Sequence, residues 1–113
     1  MRCWMVDPKL LCNTHLLAEH YELHKHRHCF VKHYSISGRI FPVVQIEPNS
    51  MESRHNELVI EMLKRGKNHQ SPYEQLDLSY LPDNQRYAKV DLEYNLKDLC
   101  NRCSECRERI ENG

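Results

Sequence analysis

The stretch HLLAEHYELHKHRH (residues 15–28) combines three leucines with nine acidic, basic or imidazole side chains, five of which are histidines. Leu16, Leu23 and Phe30 recur every seven residues, so they form one apolar stripe on a helix. The remaining polar groups are too numerous for a plain amphipathic surface. Three interpretations stay open at this point: a metal-binding cage, a face that contacts nucleic acid, or a catalytic helix.

Apolar residues at helical spacing predict three helices, over residues 8–33, 50–65 and 92–111. Asp7 is the expected N-cap of the first helix, with Pro8 in its first turn. In the second, Asn49 and Glu52 resemble a capping box, and Gly66 is a natural stop. The third has apolar residues at spacings of four and three, namely Leu92, Leu96, Leu99, Cys103, Cys106 and Ile110.

Two long polar connections separate these helices. The length of 113 residues suffices for one domain with a modest core. Residues 35–48 favour a loop or a short strand, because Pro42 interrupts a β-favouring run. Residues 67–90 are expected to be held down by four apolar side chains, Tyr73, Leu76, Leu78 and Leu81. The sequence therefore predicts an all-α fold, a compact three-helix single domain over residues 1–113.

The formal net charge is zero, but the charges are unevenly distributed. Residues 1–46 contain six basic and three acidic residues, whereas residues 71–98 contain three basic and six acidic ones. Such asymmetry is typical of a protein with one face for a polyanion, and equally of an uneven, solvated surface. With only three glycines, the chain has no glycine-rich phosphate loop.

The chain has six cysteines, at positions 3, 12, 29, 100, 103 and 106. No secretory signal and no apolar run of membrane-spanning length are visible, so we expect reduced thiols and a cytoplasmic, membrane-free protein. Cys100, Cys103 and Cys106 read C-x2-C-x2-C within the third helical pattern, which favours buried core cysteines. A metal site would need a fourth ligand, for which Cys12 or a histidine is a candidate.

Glu22 shares a helical face with His15, Lys25 and His26. This arrangement fits an ion-pair network, or a carboxylate that acts as an acid, a base or a cation stabiliser. The histidines at 20, 24 and 28 have chelating spacing, but no HExxH-type motif accompanies them. We therefore expect no catalytic metal, and a histidine-rich, solvated helix surface is the favoured interpretation.

The segments HLLAEHYEL (15–23), VKH (31–33) and ELVIEMLKRGKN (57–68), in this order and spacing, resemble the phage-type pyrimidine-dimer DNA glycosylases, the endonuclease V family. The resemblance implies three helices with the N-terminus threaded between the first two. It also implies a repair enzyme for duplex DNA that contains a cyclobutane pyrimidine dimer. In that family the N-terminal α-amine attacks the sugar, forms an imine and nicks the strand by β-elimination, without a metal or cofactor.

The resemblance also assigns residue roles. The family's essential glutamate falls on Glu22, and its nucleophile falls on the α-amino group of Met1, which the bulky neighbour Arg2 should protect from removal. Tyr21 stands where the family has an arginine, so this position is where we expect the protein to differ. The residues expected to contact DNA are Arg2, His15, Tyr21, Lys25, Lys32, Lys64, Arg65, Lys67 and Arg102.

The resemblance thus predicts a monomeric, intracellular glycosylase with AP lyase activity, whose partner is damaged double-stranded DNA. A phage or virus is a possible source of such an enzyme. The alternative is a catalytically idle DNA-binding or Cys/His metal-binding module on the same helical fold.

Overall fold

The computed structural model describes residues 2–69 and 72–112, and its regular structure is entirely helical. Met1, the predicted nucleophile, lies outside the described residues. The all-α prediction is confirmed, but the helix count of three is too low. Six α-helices are present in these ranges: α1 (Asn13–Val31), α2 (Ser37–Ile40), α3 (Met51–Lys64), α4 (Asp83–Arg86), α5 (Leu92–Arg102) and α6 (Ser104–Asn112).

Helix α1 starts five residues later than predicted. Pro8 instead belongs to a short 3-10 turn, Pro8–Leu10, whose cap is Asp7. The N-cap of α1 is Cys12, and its Sγ accepts a hydrogen bond from the backbone N of His15. The predicted stripe of Leu16, Leu23 and Phe30 is buried as expected, whereas the flanking apolar residues Leu17 and Val31 are exposed.

Helix α3 matches its predicted bounds within one residue at each end. It ends before Gly66, whose φ of 77° suits glycine and confirms the predicted stop. The predicted capping box does not form, because Asn49 lies in a 3-10 turn, Pro48–Ser50. The Glu52 carboxylate instead accepts a hydrogen bond from the backbone N of Gln75, which fastens the following connection to the start of α3.

The predicted third helix is broken at Cys103, which has an extended backbone (φ −136°, ψ 111°). The chain resumes as α6 at Ser104 and packs back against α5. Leu99 and Cys106 are buried on either side of the break, but Leu92, which the spacing placed on the apolar seam, is 49% exposed. The break turns Cys103 and Cys106 away from the continuous stripe that the sequence suggested.

The two connections carry more structure than the sequence indicated. Residues 35–48 contain the short helix α2 rather than a strand, followed by a cis peptide bond between Phe41 and Pro42. The second connection is held down as predicted, because Tyr73, Leu78 and Leu81 are buried. No helix in residues 2–69 and 72–112 is long and apolar enough to cross a membrane.

The N-terminal segment, residues 2–6, is packed between several helices. Its backbone forms hydrogen bonds with three separate parts of the fold. The N of Cys3 donates to the O of Gln45 (2.8 Å), Asn95 Nδ2 of α5 donates to the O of Trp4 (2.9 Å), and a guanidinium of α3 donates to the O of Val6 (2.7 Å). Every one of these contacts satisfies a backbone group that burial would otherwise leave unpaired.

That guanidinium belongs to Arg54, a buried cation at the centre of the protein. Its Nε and Nη2 bind the two carboxylate oxygens of Glu19 on α1 at 2.6 and 3.0 Å, and it also pairs with Glu57. Burial alone would lower the pKa of Arg54, but the hydrogen bonds and charge of Glu19 outweigh it and raise the pKa. One ion pair therefore joins α1, α3 and the N-terminal segment.

We expect Arg54→Met to destabilise the fold strongly, since it would leave the buried Glu19 carboxylate without its cation. The free energy of unfolding should fall by about 3–5 kcal/mol, as is usual when one partner of a buried pair is removed. Chemical denaturation measures the change.

The surface variant Lys97→Met, which breaks the exposed pair with Glu93, should change stability by roughly 0.5 kcal/mol or less. The double variant Glu19→Met/Arg54→Met should recover part of the loss, and an Arg54→Met cost below about 1 kcal/mol would contradict the central role of this pair.

Candidate active site

A cavity of about 460 Å³ opens beside α1, at the point where the N-terminal segment passes the helix. It brings together three of the predicted site residues: Glu22, Arg2 and Arg102. The rest of its wall consists of Trp4, Ala18, Glu19, Arg39 and Gln45. Glu19 is already neutralised by Arg54. The three arginines then outnumber the two other carboxylates beside them, those of Glu22 and of Asp98, which pairs with Arg2 and Arg102. The net positive charge suits an anionic ligand.

Arg2 and Arg102 are held in place by one acidic residue, Asp98 of α5. Arg2 Nη2 lies 2.7 Å and Arg102 Nη2 lies 3.0 Å from Asp98 Oδ2. Both guanidinium groups also lie over the ring of Trp4, at 4.4 and 5.6 Å from its centroid. A second bond joins Arg2 Nη1 to Asn95 Oδ1 at 2.9 Å. The wall is thus pre-organised by side chains from both ends of the chain.

Glu22 is the second carboxylate of this cavity, and the ion pair that it makes within residues 2–69 and 72–112 is with the imidazole of His26. Its Oε2 atom is buried and receives no hydrogen bond from the described residues. The nearest imidazole, His26, has its Nε2 3.9 Å away. Burial lowers the pKa of His26 to about 4, and Arg39 adds to the effect, so His26 is neutral at pH 7. A buried carboxylate oxygen that accepts no hydrogen bond from the described residues, at an arginine-lined cavity, is available to a reacting group.

Five residues of this cavity were not among the predicted site residues: Ala18 and Glu19 on α1, and Trp4, Arg39 and Gln45 elsewhere. Trp4 and Gln45 reach it only through the path of the N-terminal segment, which local spacing does not reveal. Arg39 could have been found, because it lies in the run of residues 23–46 that contains no acidic side chain. Its Nη1 donates to Gln45 Oε1 at 3.3 Å.

Two of the predicted DNA contacts, Tyr21 and Lys25, lie exposed on α1, and a third, Lys32, is exposed at its C-cap. At about 100° of rotation per residue, they occupy a sector of the helix that adjoins the sector of Glu22. Lys25 also lines a second cavity of about 330 Å³, and Arg39 borders both cavities. The α1 part of the predicted interface therefore forms one continuous surface with the Glu22 cavity.

The predicted contacts at the end of α3 lie elsewhere. Arg65 is used inside the protein, where its guanidinium bonds Glu61, Asn13 and the carbonyl oxygen of Pro8. Lys64 lines a separate cavity near the first 3-10 turn. Lys67 follows in the connection and is half-buried. None of these three residues borders the Glu22 cavity.

His15 does not line the Glu22 cavity, and its imidazole contacts a cluster of thiols instead. Its Nδ1 lies 3.1 Å from Cys12 Sγ and 3.5 Å from Cys106 Sγ, and Cys103 Sγ lies 3.8 Å from Cys12 Sγ. The four potential ligand atoms all lie within 4.8 Å of one another. Cys100, the first member of the predicted cysteine triplet, is not among them. We call these four residues the Cys/His cluster.

A second group, which we call the four-histidine cluster, unites His20 and His24 of α1 with His55 of α3 and His69 of the following connection. Their candidate ligand nitrogens also lie within 4.8 Å of one another. His28, the third member of the chelating spacing seen in the sequence, is not part of it and lies beside Tyr34. Either cluster has the residue types to hold a transition-metal ion.

Comparison with known proteins supports the resemblance found in the sequence. Residues 1–75 match the family model described as pyrimidine dimer DNA glycosylase. The matched segment contains Glu22, Arg2 and Arg39. It does not contain α6 or α5, and Arg102 is the last residue of α5. No curated protein and no solved structure gave a significant match. Because the family model covers 75 of the 113 residues, the chain belongs to the pyrimidine dimer DNA glycosylase family, whose role is in DNA repair.

Proposed function

We propose that this protein is a bifunctional DNA glycosylase and AP lyase that acts, as a monomer, on cyclobutane pyrimidine dimers in duplex DNA. The observation that supports it most is the position of Glu22, whose Oε2 accepts no hydrogen bond from the described residues, in a cavity walled by Arg2, Arg39 and Arg102. The family to which the chain belongs supplies the substrate class.

The arginine wall suits a nucleotide drawn out of the helix. A cavity of about 460 Å³ falls within the roughly 300–1,000 Å³ that is usual for small-molecule sites. A dimer already weakens stacking and pairing, so extrusion costs less there than at undamaged bases. Guanidinium groups bind phosphate oxygens in a bidentate way, and the exposed Tyr21, Lys25 and Lys32 would extend these contacts along the backbone. Lys64, Arg65 and Lys67 do not border this cavity and would contact more distant phosphates.

The proposed nucleophile is the α-amino group of Met1. An α-amine titrates near pH 7.7–8.0, about two units below lysine, so a useful neutral fraction exists at physiological pH. The positive charge of Arg2 disfavours protonation of a neighbouring amine and increases that fraction. Arg2, the residue covalently bonded to Met1, lines the same cavity as Glu22, which supports this choice over a lysine side chain.

In the proposed reaction, the amine nitrogen bonds to C1′ of the sugar that carries the 5′ base of the dimer. The glycosidic bond breaks, and the base leaves with the bonding electrons and takes up a proton. The nitrogen then loses one proton, and the bond between C1′ and O4′ breaks as O4′ takes up a proton, which opens the sugar ring and gives a protonated imine at C1′. A base then removes a proton from C2′, and the 3′ phosphate leaves from C3′, so that the strand is cut. Water finally hydrolyses the imine and releases the enzyme.

Glu22 has two roles in this scheme. Its negative charge stabilises the cationic sugar and the protonated imine as they develop, which is the kind of electrostatic effect that lowers barriers most. Its carboxylate can also accept the C2′ proton in the elimination step. Both roles need an ionised group that is not already neutralised by a salt bridge, and this is what distinguishes Glu22 from Glu19.

Borohydride trapping tests the proposed nucleophile. Hydride adds to the imine carbon and converts the transient complex to a stable amine, so reduction with abasic or UV-irradiated duplex should give a covalent protein–DNA adduct. A short peptide extension before Met1 should abolish the adduct. The same extension after Gly113 is the matched control and should leave the adduct unchanged.

Two outcomes would contradict this proposal. If the wild-type protein gives no adduct with either substrate, imine chemistry is excluded and a catalytically idle DNA-binding module is favoured. An adduct that persists in the N-terminally extended protein would move the nucleophile from the α-amine to a lysine side chain.

Glu22→Gln tests the carboxylate. The substitution keeps size and shape but removes the charge, so both base release and strand cleavage should slow by about 10²- to 10⁴-fold. The thermal midpoint should barely change, because Glu22 Oε2 accepts no hydrogen bond from residues 2–69 and 72–112 that the substitution would remove. Glu93→Gln on α5, where the side chain is 80% exposed, is the matched control and should keep full activity. Activity of Glu22→Gln within about threefold of the wild type would remove Glu22 from the mechanism.

A further inference from the structure

We propose that the Cys/His cluster, formed by Cys12, His15, Cys103 and Cys106, binds one structural Zn²⁺ ion. This proposal does not depend on the glycosylase reaction, and the family resemblance implies no metal. Two of the ligands lie in the segment that matches the family, and the other two lie beyond it. The geometry of these four side chains is what points to the ion.

Two of the three separations measured between ligand atoms match those of a tetrahedral zinc ion, and all four atoms lie within 4.8 Å of one another. Zn–S bonds of about 2.3 Å and Zn–N bonds of about 2.0–2.1 Å place neighbouring sulfurs roughly 3.8 Å apart, and a sulfur and a nitrogen roughly 3.5 Å apart. The separation of Cys12 Sγ and Cys103 Sγ is 3.8 Å, and that of Cys106 Sγ and His15 Nδ1 is 3.5 Å. Cys12 Sγ and His15 Nδ1 are closer, at 3.1 Å, and need to separate by only a few tenths of an ångström.

The backbone around the cluster is shaped to stabilise thiolates. Three N–H groups are directed at sulfur atoms: His15 N at Cys12 Sγ (3.4 Å), Cys106 N at Cys103 Sγ (3.4 Å) and Cys12 N at Cys106 Sγ (3.2 Å). Cys12 caps α1 and Cys103 immediately precedes α6. Helix N-termini favour the ionised thiol. The ligand spacings are C-x2-H and C-x2-C, which are common in structural zinc sites.

A disulfide explains these thiols less well. A disulfide bond needs two sulfurs about 2.05 Å apart, whereas three sulfurs and one imidazole nitrogen converge here. Three thiolates and one Zn²⁺ carry a net charge of −1. The guanidinium of Arg102 provides a neighbouring positive charge, since it lies over the ring of Trp4, which itself packs edge-on against His15.

The proposed ion would fasten the α5–α6 junction to the start of α1. It would explain why the third helix is broken at Cys103, since a continuous helix would carry Cys103 and Cys106 past Cys12. It would also hold α5, and with it Asp98 and Arg102, at the wall of the Glu22 cavity.

Metal analysis of the purified full-length protein, loaded with Zn²⁺ and dialysed, tests this site. Substitution with Co²⁺ should give the intense visible and near-ultraviolet bands of tetrahedral cobalt with thiolate ligands. Cys103→Ser should abolish the thiolate bands. Cys100→Ser, three residues away but outside the cluster, is the matched control and should retain them.

His15→Cys should also retain zinc, since four thiolates form an equally good site. Chelation of the wild-type protein should lower its thermal midpoint by roughly 10 °C or more, because a ligand that binds only the folded state stabilises it. A wild-type protein that shows no thiolate–cobalt band would overturn the proposal, whether or not Cys103→Ser folds. Equal loss of the bands in Cys100→Ser would overturn the ligand assignment.

The four-histidine cluster independently carries a second proposal, and we infer that it binds a divalent transition-metal ion. His55 Nε2 lies 3.1 Å from His20 Nε2 and 3.2 Å from His69 Nε2. These separations are close to the roughly 3.4 Å expected between nitrogens of a tetrahedral zinc site. His24 Nε2 is buried and has no hydrogen-bond partner among the described residues, so a polar atom within the cluster is left unsatisfied.

The surroundings support ligation through the Nε2 atoms. His55 is fully buried, and its Nδ1 lies 3.2 Å from Asn56 Oδ1. An outer hydrogen bond of this kind fixes the tautomer that leaves Nε2 as the ligand. Four neutral imidazoles suit Zn²⁺, Cu²⁺ or Ni²⁺ rather than Mg²⁺ or Ca²⁺, which prefer oxygen ligands.

Titration with Zn²⁺ in competition with a chromophoric chelator separates the two sites. The wild-type protein should bind two equivalents, and His69→Gln, a change at the half-buried edge of the cluster, should bind one and keep the thiolate–cobalt bands. His28→Gln on α1 lies outside the cluster and should bind two. Saturation of the wild type at one equivalent, or an unchanged stoichiometry in His69→Gln, would overturn this second site while leaving the first unaffected.

Discussion

The buried ion pair between Arg54 and Glu19 is the interaction on which the rest of the structure depends. A guanidinium in the core requires several acceptors, and these are supplied by α1, by α3 and by the carbonyl oxygen of Val6. The pair therefore fixes the N-terminal segment against two helices at once. Glu22 lies one helical turn beyond Glu19. The Arg54–Glu19 pair, which holds the N-terminal segment in place, therefore also sets the distance between that segment and the proposed catalytic carboxylate.

Asp98 has a corresponding role for the other end of the chain. It binds Arg2 and Arg102 together, and Asn95 on the same helix binds both the side chain of Arg2 and the backbone of Trp4. Helix α5, which lies outside the segment matched to the family, thus builds one wall of the cavity. Like charges are tolerated side by side there because a carboxylate and an indole ring separate them.

The sequence predicts those features that depend on local spacing. The apolar stripe of α1, the bounds of α3 and the stop at Gly66 follow from helical periodicity and from glycine's freedom at positive φ. The break at Cys103 does not, because the same spacing of apolar residues fits a continuous helix. Nothing within residues 92–111 indicates that Cys103 and Cys106 must turn toward Cys12, which is about ninety positions earlier in the chain.

The site shows the same division between local and long-range information. Glu22 and Arg2 were identified through the family resemblance, and the structure brings them to one cavity. The four-histidine cluster was only half visible, because His20 and His24 share a helix face whereas His55 and His69 join them through tertiary contacts. His15 was expected to face DNA, and its proximity to three thiols could not be inferred from α1 alone.

The rotation of α1 explains why residues 15–28 contain so many titratable groups. At about 100° per residue, His15 and Glu22 fall on nearly the same line, and Leu16, Leu23 and Phe30 lie about 80° from them. His20 and His24 lie close to the opposite side, and Tyr21, Lys25 and Lys32 occupy the remaining, exposed sector. A single helix therefore borders a thiol cluster and an arginine-lined cavity along one line, an apolar core along a second, and an imidazole cluster along a third. To border all of these surfaces, α1 must be polar on every side except the stripe of Leu16, Leu23 and Phe30. The many titratable residues at 15–28, which obscure the amphipathic pattern in the sequence, therefore follow from the position of α1 in the fold.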